Sequence, residues 1–153
     1  MIRRVLVVGA VALFASAWLA FSRPIEMLVD GERVDTDVPP VTTVSEKVFV
    51  PLRSVADALG AQTEVDSKNG VVDVVLGAQS LRVRVGDRRA TVNGMAFTLK
   101  HSPFRVRGRV MVSLDAVARA LHVHARYDAR NARIEVVTPG IGMAPTAQSA
   151  PAQ

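Results

Sequence analysis

The chain has 153 residues, enough for one domain or two tightly packed halves. Its residues are 49% hydrophobic and include no cysteine, so a core is available but disulfides, thiolate nucleophiles and thiolate metal sites are excluded. Aromatic residues make up only 5%, which argues against a base-stacking nucleic-acid platform, and the net charge is +5.

That charge is unevenly spread. From Arg23 to Leu81 five Lys/Arg stand against ten Asp/Glu, a balance of −5; from Arg82 to Arg133 twelve stand against three, a balance of +9. The first half is acidic and the second basic.

The N-terminus carries Arg3 and Arg4, followed by an uncharged and mostly apolar run from Val5 to Phe21. Small residues follow at Ala15-Ser16-Ala17 and Ala20-Phe21-Ser22. A positive start, a short apolar stretch and small residues form the profile of a secretory signal. Residues 1–22 are therefore expected to export the chain, either cleaved or kept as an N-terminal membrane anchor. The expected location is extracytoplasmic: secreted, periplasmic or at the cell surface.

Residues 23–138 form the expected domain, and they contain a repeat. Val48–Val75 aligns without a gap on Val110–Val137, 62 residues later, with identity at 11 of 28 positions. Most matches are apolar, so the repeat describes a packed unit. Each copy opens on a short apolar strand, Val48–Val50 or Val110–Val112, and runs into a helix. Leu52, Val55 and Leu59, echoed by Leu114, Val117 and Leu121, form one stripe at helical period. Pro51 suits the first helical position, while Ser113 is expected to cap its helix through the hydroxyl, with Asp115 near the positive end of the dipole. Gly60 can end the first helix in a left-handed conformation; His122 in its place is a poorer terminator, so the second helix is expected to run on or to end less cleanly.

A hairpin follows each helix. Asn69-Gly70 reads as a two-residue type I′ turn and Asn131-Ala132 as a weaker one. Before each copy, Asp30-Gly31 and Asn93-Gly94 place further two-residue turns, and Pro39-Pro40 and Ser102-Pro103 break the chain ahead of the next strand. The expected fold is α+β: two similar hairpin, strand, helix, hairpin units, with antiparallel strands packed on two short helices.

The segments VFVPLRSVADALGA at Val48–Ala61, Val92-Asn93-Gly94, GRVMVSL at Gly108–Leu114, VARAL at Val117–Leu121 and Tyr127-Asp128 together resemble the copper amine oxidase-like N-terminal domain. The likeness covers roughly Ile25 to Val137 and departs from the family pattern at Val65, Ser113, Asp115 and His122. It implies a small non-catalytic α+β module of the kind found in exported bacterial proteins. It does not imply copper: in the amine oxidases the metal and the tyrosine-derived quinone belong to a separate, much larger catalytic domain.

Two runs concentrate positive charge. Arg82 and Arg84 alternate with apolar residues, as do Arg105, Arg107 and Arg109, so each set is expected on one strand face. If the strands are neighbours, five guanidinium groups line one surface and could hold an anionic cell-envelope polymer; another envelope protein is the other expected partner. Sixteen arginines against three lysines also fit a plain compositional bias. No nucleic acid is expected, and membrane contact only through an uncleaved N-terminal segment.

His122 and His124, with His101, raise an alternative: an extracytoplasmic copper-binding protein. Against it, the repeat sets His122 and His124 opposite Gly60 and Gln62, slots that the first copy fills with non-ligands. No serine stands in a histidine–carboxylate pattern and no glycine loop is built for phosphates, so neither an enzyme nor a bound cofactor is expected. Residues 139–153, uncharged and rich in Pro, Ala, Gly, Gln and Ser, are expected to be disordered.

Overall fold

The computed structural model describes residues 24–43 and 47–140. The segment read as an export signal and the tail from residue 141 onward lie outside the described residues. Strands run in chain order as β1 (Glu26–Val29), β2 (Glu32–Arg33), β3 (Val41–Thr42) and β4 (Val48–Pro51), leading into helix α1 (Leu52–Ala58). Five more follow: β5 (Gln62–Asp66), β6 (Val71–Leu76), β7 (Gln79–Arg84), β8 (Arg89–Val92) and β9 (Met95–Thr98). The chain then forms β10 (Phe104–Val106), β11 (Arg109–Ser113), helix α2 (Leu114–Leu121), β12 (His124–Asp128) and β13 (Arg133–Val137).

The tight hairpins are set by residues that accept a left-handed backbone. Asp30 and Gly31 (φ 49° and 84°) turn β1 into β2, and Asn93 and Gly94 (51° and 78°) turn β8 into β9, both as expected of two-residue type I′ turns. A third such turn was not legible. Arg107 and Gly108 (47° and 83°) join β10 to β11, although a long basic side chain is an uncommon occupant of that conformation.

The hairpins after the helices differ from expectation. Asp66 pairs with Val71 and Asp128 with Arg133, so each loop has four residues, and only its last, Gly70 (φ 67°) or Ala132 (49°), is left-handed. A carboxylate organises each loop. Asp66 Oδ1 accepts the amides of Lys68 and Asn69, at 3.1 and 3.0 Å, and Asn69 Nδ2 donates to Oδ2 at 2.6 Å. Asp128 accepts the amides of Arg130 and Asn131 and the Asn131 side chain in the same way, the last at 2.7 Å. This wiring explains why Asp and Asn recur three residues apart in both places: each satisfies orphan loop amides that the strand ladder leaves behind.

Both helices end alike, which corrects the reading of His122. After α1, the Gly60 amide donates to Asp57 O and the Ala61 amide to Ala56 O, with Gly60 at φ 74°. After α2, His122 adopts φ 53° and the Val123 amide donates to Ala118 O at 3.0 Å. The histidine takes the glycine's place and the helix stops there. The N-termini also differ from expectation: Pro51 precedes α1 as its cap residue, and Ser113, at the same place before α2, makes no side-chain capping hydrogen bond.

The strands form three sheets, ordered β12-β13-β1-β2, β10-β11-β4-β3 and β5-β6-β7-β8-β9. Among the described residues the strand pairs are antiparallel except one: β1 lies parallel to β13, with Met27 opposite Ile134 and Val29 opposite Val136. In the middle sheet β4 and β11 cross at Val50 opposite Val112, with Pro51 opposite Met111 and Phe49 opposite Ser113.

The helix stripes and the alternating strand residues meet in one core. Leu52 and Val55 of α1, Val117 and Leu121 of α2, Val72 and Val74, Leu81 and Val83, and Ile134 and Val136 are all buried in it. Each such aliphatic side chain removed from water contributes about 1.5–3 kcal/mol. A smaller cluster of Val38, Phe49 and Met111 fills the other face of the middle sheet, where Phe104 meets Phe49 edge-on at 5.0 Å. Among the described residues no helix is long and apolar enough to cross a membrane.

Candidate anion-binding groove

Strand β7 carries the first arginine pair. Its alternation puts Leu81 and Val83 into the core and leaves Arg82 and Arg84 on the opposite, wet face of the five-stranded sheet. Register then decides their neighbours. Arg82 lies between Asp73 of β6 and Thr91 of β8, while Arg84 lies opposite Val71.

A shallow groove of about 440 Å³ runs across this face, lined by Arg82, Arg84 and Arg89 together with Asp87 and the Thr91 and Thr98 side chains. Arg89 was not among the arginines singled out from sequence. The signal was available: it stands two residues before Thr91, on the same face of a strand that neighbours β7.

Two of the three guanidinium groups are held by carboxylates. Arg82 grips Asp73 with two bonds, Nε to Oδ1 at 2.6 Å and Nη2 to Oδ2 at 3.0 Å, and this pairing raises its pKa. Arg89 folds back on Asp87 at 3.1 Å, and the hydrogen bonds from Arg89 hold the Asp87 carboxyl below its ordinary value. Arg84 makes no ion pair with a described residue. Its field still reaches Asp66 and Asp87, lowering both carboxyls beyond the larger effect of their own hydrogen bonds. An anion in the groove would meet one uncommitted guanidinium and two that must share.

The other three arginines do not join this face. Strands β10 and β11 belong to the middle sheet, so the two runs are not neighbours. The turn at Arg107-Gly108 also breaks the period-two pattern on which their common face depended. Arg105 pairs opposite Val110 and Arg109 opposite Val106, which puts them on opposite faces of the hairpin, with Arg107 at its tip. Arg109 is bound to Asp37, with Nη2 at 2.7 Å and Nε at 2.8 Å, and its hydrogen bonds lower that carboxyl. Arg105 reaches back to the five-stranded sheet, donating to Ser67 O at 3.3 Å and lying against Gly70. Of the second set, Arg105 and Arg109 come to the end of the sheet that carries Arg84, Arg109 lining a separate cavity with Val65, Ser67 and Val72.

The histidines are likewise scattered. His122 ends α2, His124 begins the edge strand β12, and the ring of His101 sits edge-on to Phe49 at 5.8 Å in the loop before β10. The described residues contain no group of three or more His, Cys, Asp or Glu placed to hold a metal ion.

No curated protein matches the chain. A family model does: the copper amine oxidase N-terminal domain matches residues 28–136, from the first strand to the last. That match takes in both helices, all three sheets and the arginine groove, and the chain belongs to the copper amine oxidase N-terminal domain family, a non-catalytic module of those enzymes.

Proposed function

We propose that this protein is a non-catalytic binding module that works outside the cytoplasm and holds an anionic polymer of the cell envelope on the outer face of its five-stranded sheet. One observation carries the reading: Arg82, Arg84 and Arg89 line one open groove, and Arg84 has no ion pair with a described residue. A flexible polyanion suits such a surface. It makes many weak contacts along a groove, and arginine offers planar, paired donors to carboxylate or phosphate. Export rests on the signal-like N-terminus. We also infer that the domain is built from two similar units. The 11 matches in 28 residues support this, as does the β4–β11 crossing, where Val50 meets Val112, its own counterpart 62 residues on.

The test is co-sedimentation of the purified protein with isolated cell envelopes at low and high salt. Pelleting at low ionic strength should be lost near 1 M salt, where screening shortens to about 3 Å. A double change, Arg84→Glu with Arg89→Glu, should abolish low-salt pelleting, whereas Arg107→Glu at the β10–β11 hairpin tip, outside the groove, should leave most of it. No pelleting under either condition would sink the polymer reading and turn attention to a protein partner.

A further inference from the structure

A second cavity, of about 330 Å³, opens at the N-terminal end of α2 and shares no residue with the arginine groove. Leu114, Ala118 and Ala125 give it an apolar wall, and Lys47, Lys100 and Ser113 stand as polar groups around it.

Ser113 is the feature that calls for an explanation. It is 8% exposed and occupies the cap position of α2, yet its hydroxyl makes no capping bond and no other hydrogen bond with a described residue. A serine there ordinarily takes an amide of the first helical turn. Here the hydroxyl of Ser113, which lines the cavity, remains available to something in it.

The charges around the cavity favour an anion. Asp115 is the opposing carboxylate, but it is shared by Lys100 and Arg119, each at 3.3 Å. Lys47 forms no ion pair with a described residue, and His101 adds a further donor at the rim. The apolar wall and the nearby Asp115 disfavour a dianion such as phosphate, which would lose hydration and meet repulsion.

We propose that this cavity binds a carboxylate carrying a short apolar group, either a free organic acid or the C-terminal residue of a peptide. The carboxylate accepts from the Ser113 hydroxyl and from Lys47 and Lys100, and the apolar group rests on Leu114, Ala118 and Ala125.

The experiment is an NMR titration of the full ¹⁵N-labelled chain with N-acetylalanine, N-acetylalanine amide, isobutyrate and inorganic phosphate. N-acetylalanine should give saturable shifts confined to residues around Ser113 and Lys100, and the uncharged amide should give none. Tighter binding of isobutyrate would identify a free acid, and tighter binding of N-acetylalanine a peptide terminus. Ser113→Ala should weaken binding about tenfold, the scale expected for a charge-assisted hydrogen bond, with the melting temperature unchanged because no hydrogen bond is lost on folding. The exposed pair Lys47→Gln with Lys100→Gln should weaken it further, leaving envelope pelleting intact. Equal binding of acid and amide, tighter binding of phosphate than of either acid, or affinity indifferent to both variants would overturn the proposal.

Discussion

The sheet of β1 and the sheet of β7 are put together in different ways. In one, β1 lies directly against β13, and the parallel ladder brings Met27 and Ile134 together. In the other, β7 is inserted between β6 and β8, so the two strands that flank it never touch. The inserted strand turns Leu81 and Val83 inward, where α2 packs on it, and turns Arg82 and Arg84 outward. The sheet without an insertion keeps its arginines neutralised. Glu26 is shared by Arg33 and Arg133 at 3.3 and 3.0 Å, and Glu135 takes Arg126 at 2.8 Å. One extra strand thus supplies both a support for a helix and the groove that distinguishes the two faces.

Removing core volume from the inserted strand should have the largest effect. Leu81→Ala is expected to cost about 2–5 kcal/mol in urea denaturation, and Met27→Ala in β1 a similar amount. The two should part company in function. At temperatures where both remain folded, Leu81→Ala should weaken envelope pelleting through the loosened β7, and Met27→Ala should not. Equal effects on pelleting would mean that the groove does not depend on the inserted strand.

The helix ends offer a smaller and more symmetric test. Gly60→Ala places a β-carbon at φ 74° and should destabilise by about 1–2 kcal/mol, although nothing crowds the site. His122→Gly removes one at φ 53° and should stabilise by about 1 kcal/mol. Opposite shifts in urea midpoint are the expected outcome. A destabilised His122→Gly would show that the imidazole contributes more there than its backbone conformation costs.

The smallest effect concerns acid. Hydrogen bonds from Asn69 and Asn131 hold Asp66 and Asp128 below the ordinary carboxyl value of 3.8. A carboxyl depressed in the folded state adds stability above its unfolded pKa, and that contribution disappears as pH falls through the folded value. Both loops should therefore support the fold at neutral pH and begin to lose that support below about pH 4. Denaturation midpoints compared between pH 7 and pH 2 should fall less steeply for the double variant Asp66→Asn with Asp128→Asn than for the parent. Identical slopes would remove these two carboxylates from the acid response.

Much of this was legible in the residues because it is decided within a few positions. The stripe of Leu52 and Val55 and that of Leu114, Val117 and Leu121 placed both helices, and Asp30-Gly31 and Asn93-Gly94 placed two hairpins. Misreadings arose where a local conformation ran against residue preference. Arg107 and His122 occupy left-handed positions that arginine and histidine seldom take, so one turn was missed and one helix end was misjudged.

The sequence by itself determined both helices, the Asp30-Gly31 and Asn93-Gly94 turns, the family and the face of β7, because periodicity and turn chemistry act over a handful of residues. Only the tertiary structure decided which strands became neighbours, since pairing between segments far apart in the chain leaves no periodic trace. That choice put β7 between β6 and β8, set β1 parallel to β13, joined Arg89 to Arg82 and Arg84, and sent Arg109 to Asp37 in the loop between β2 and β3.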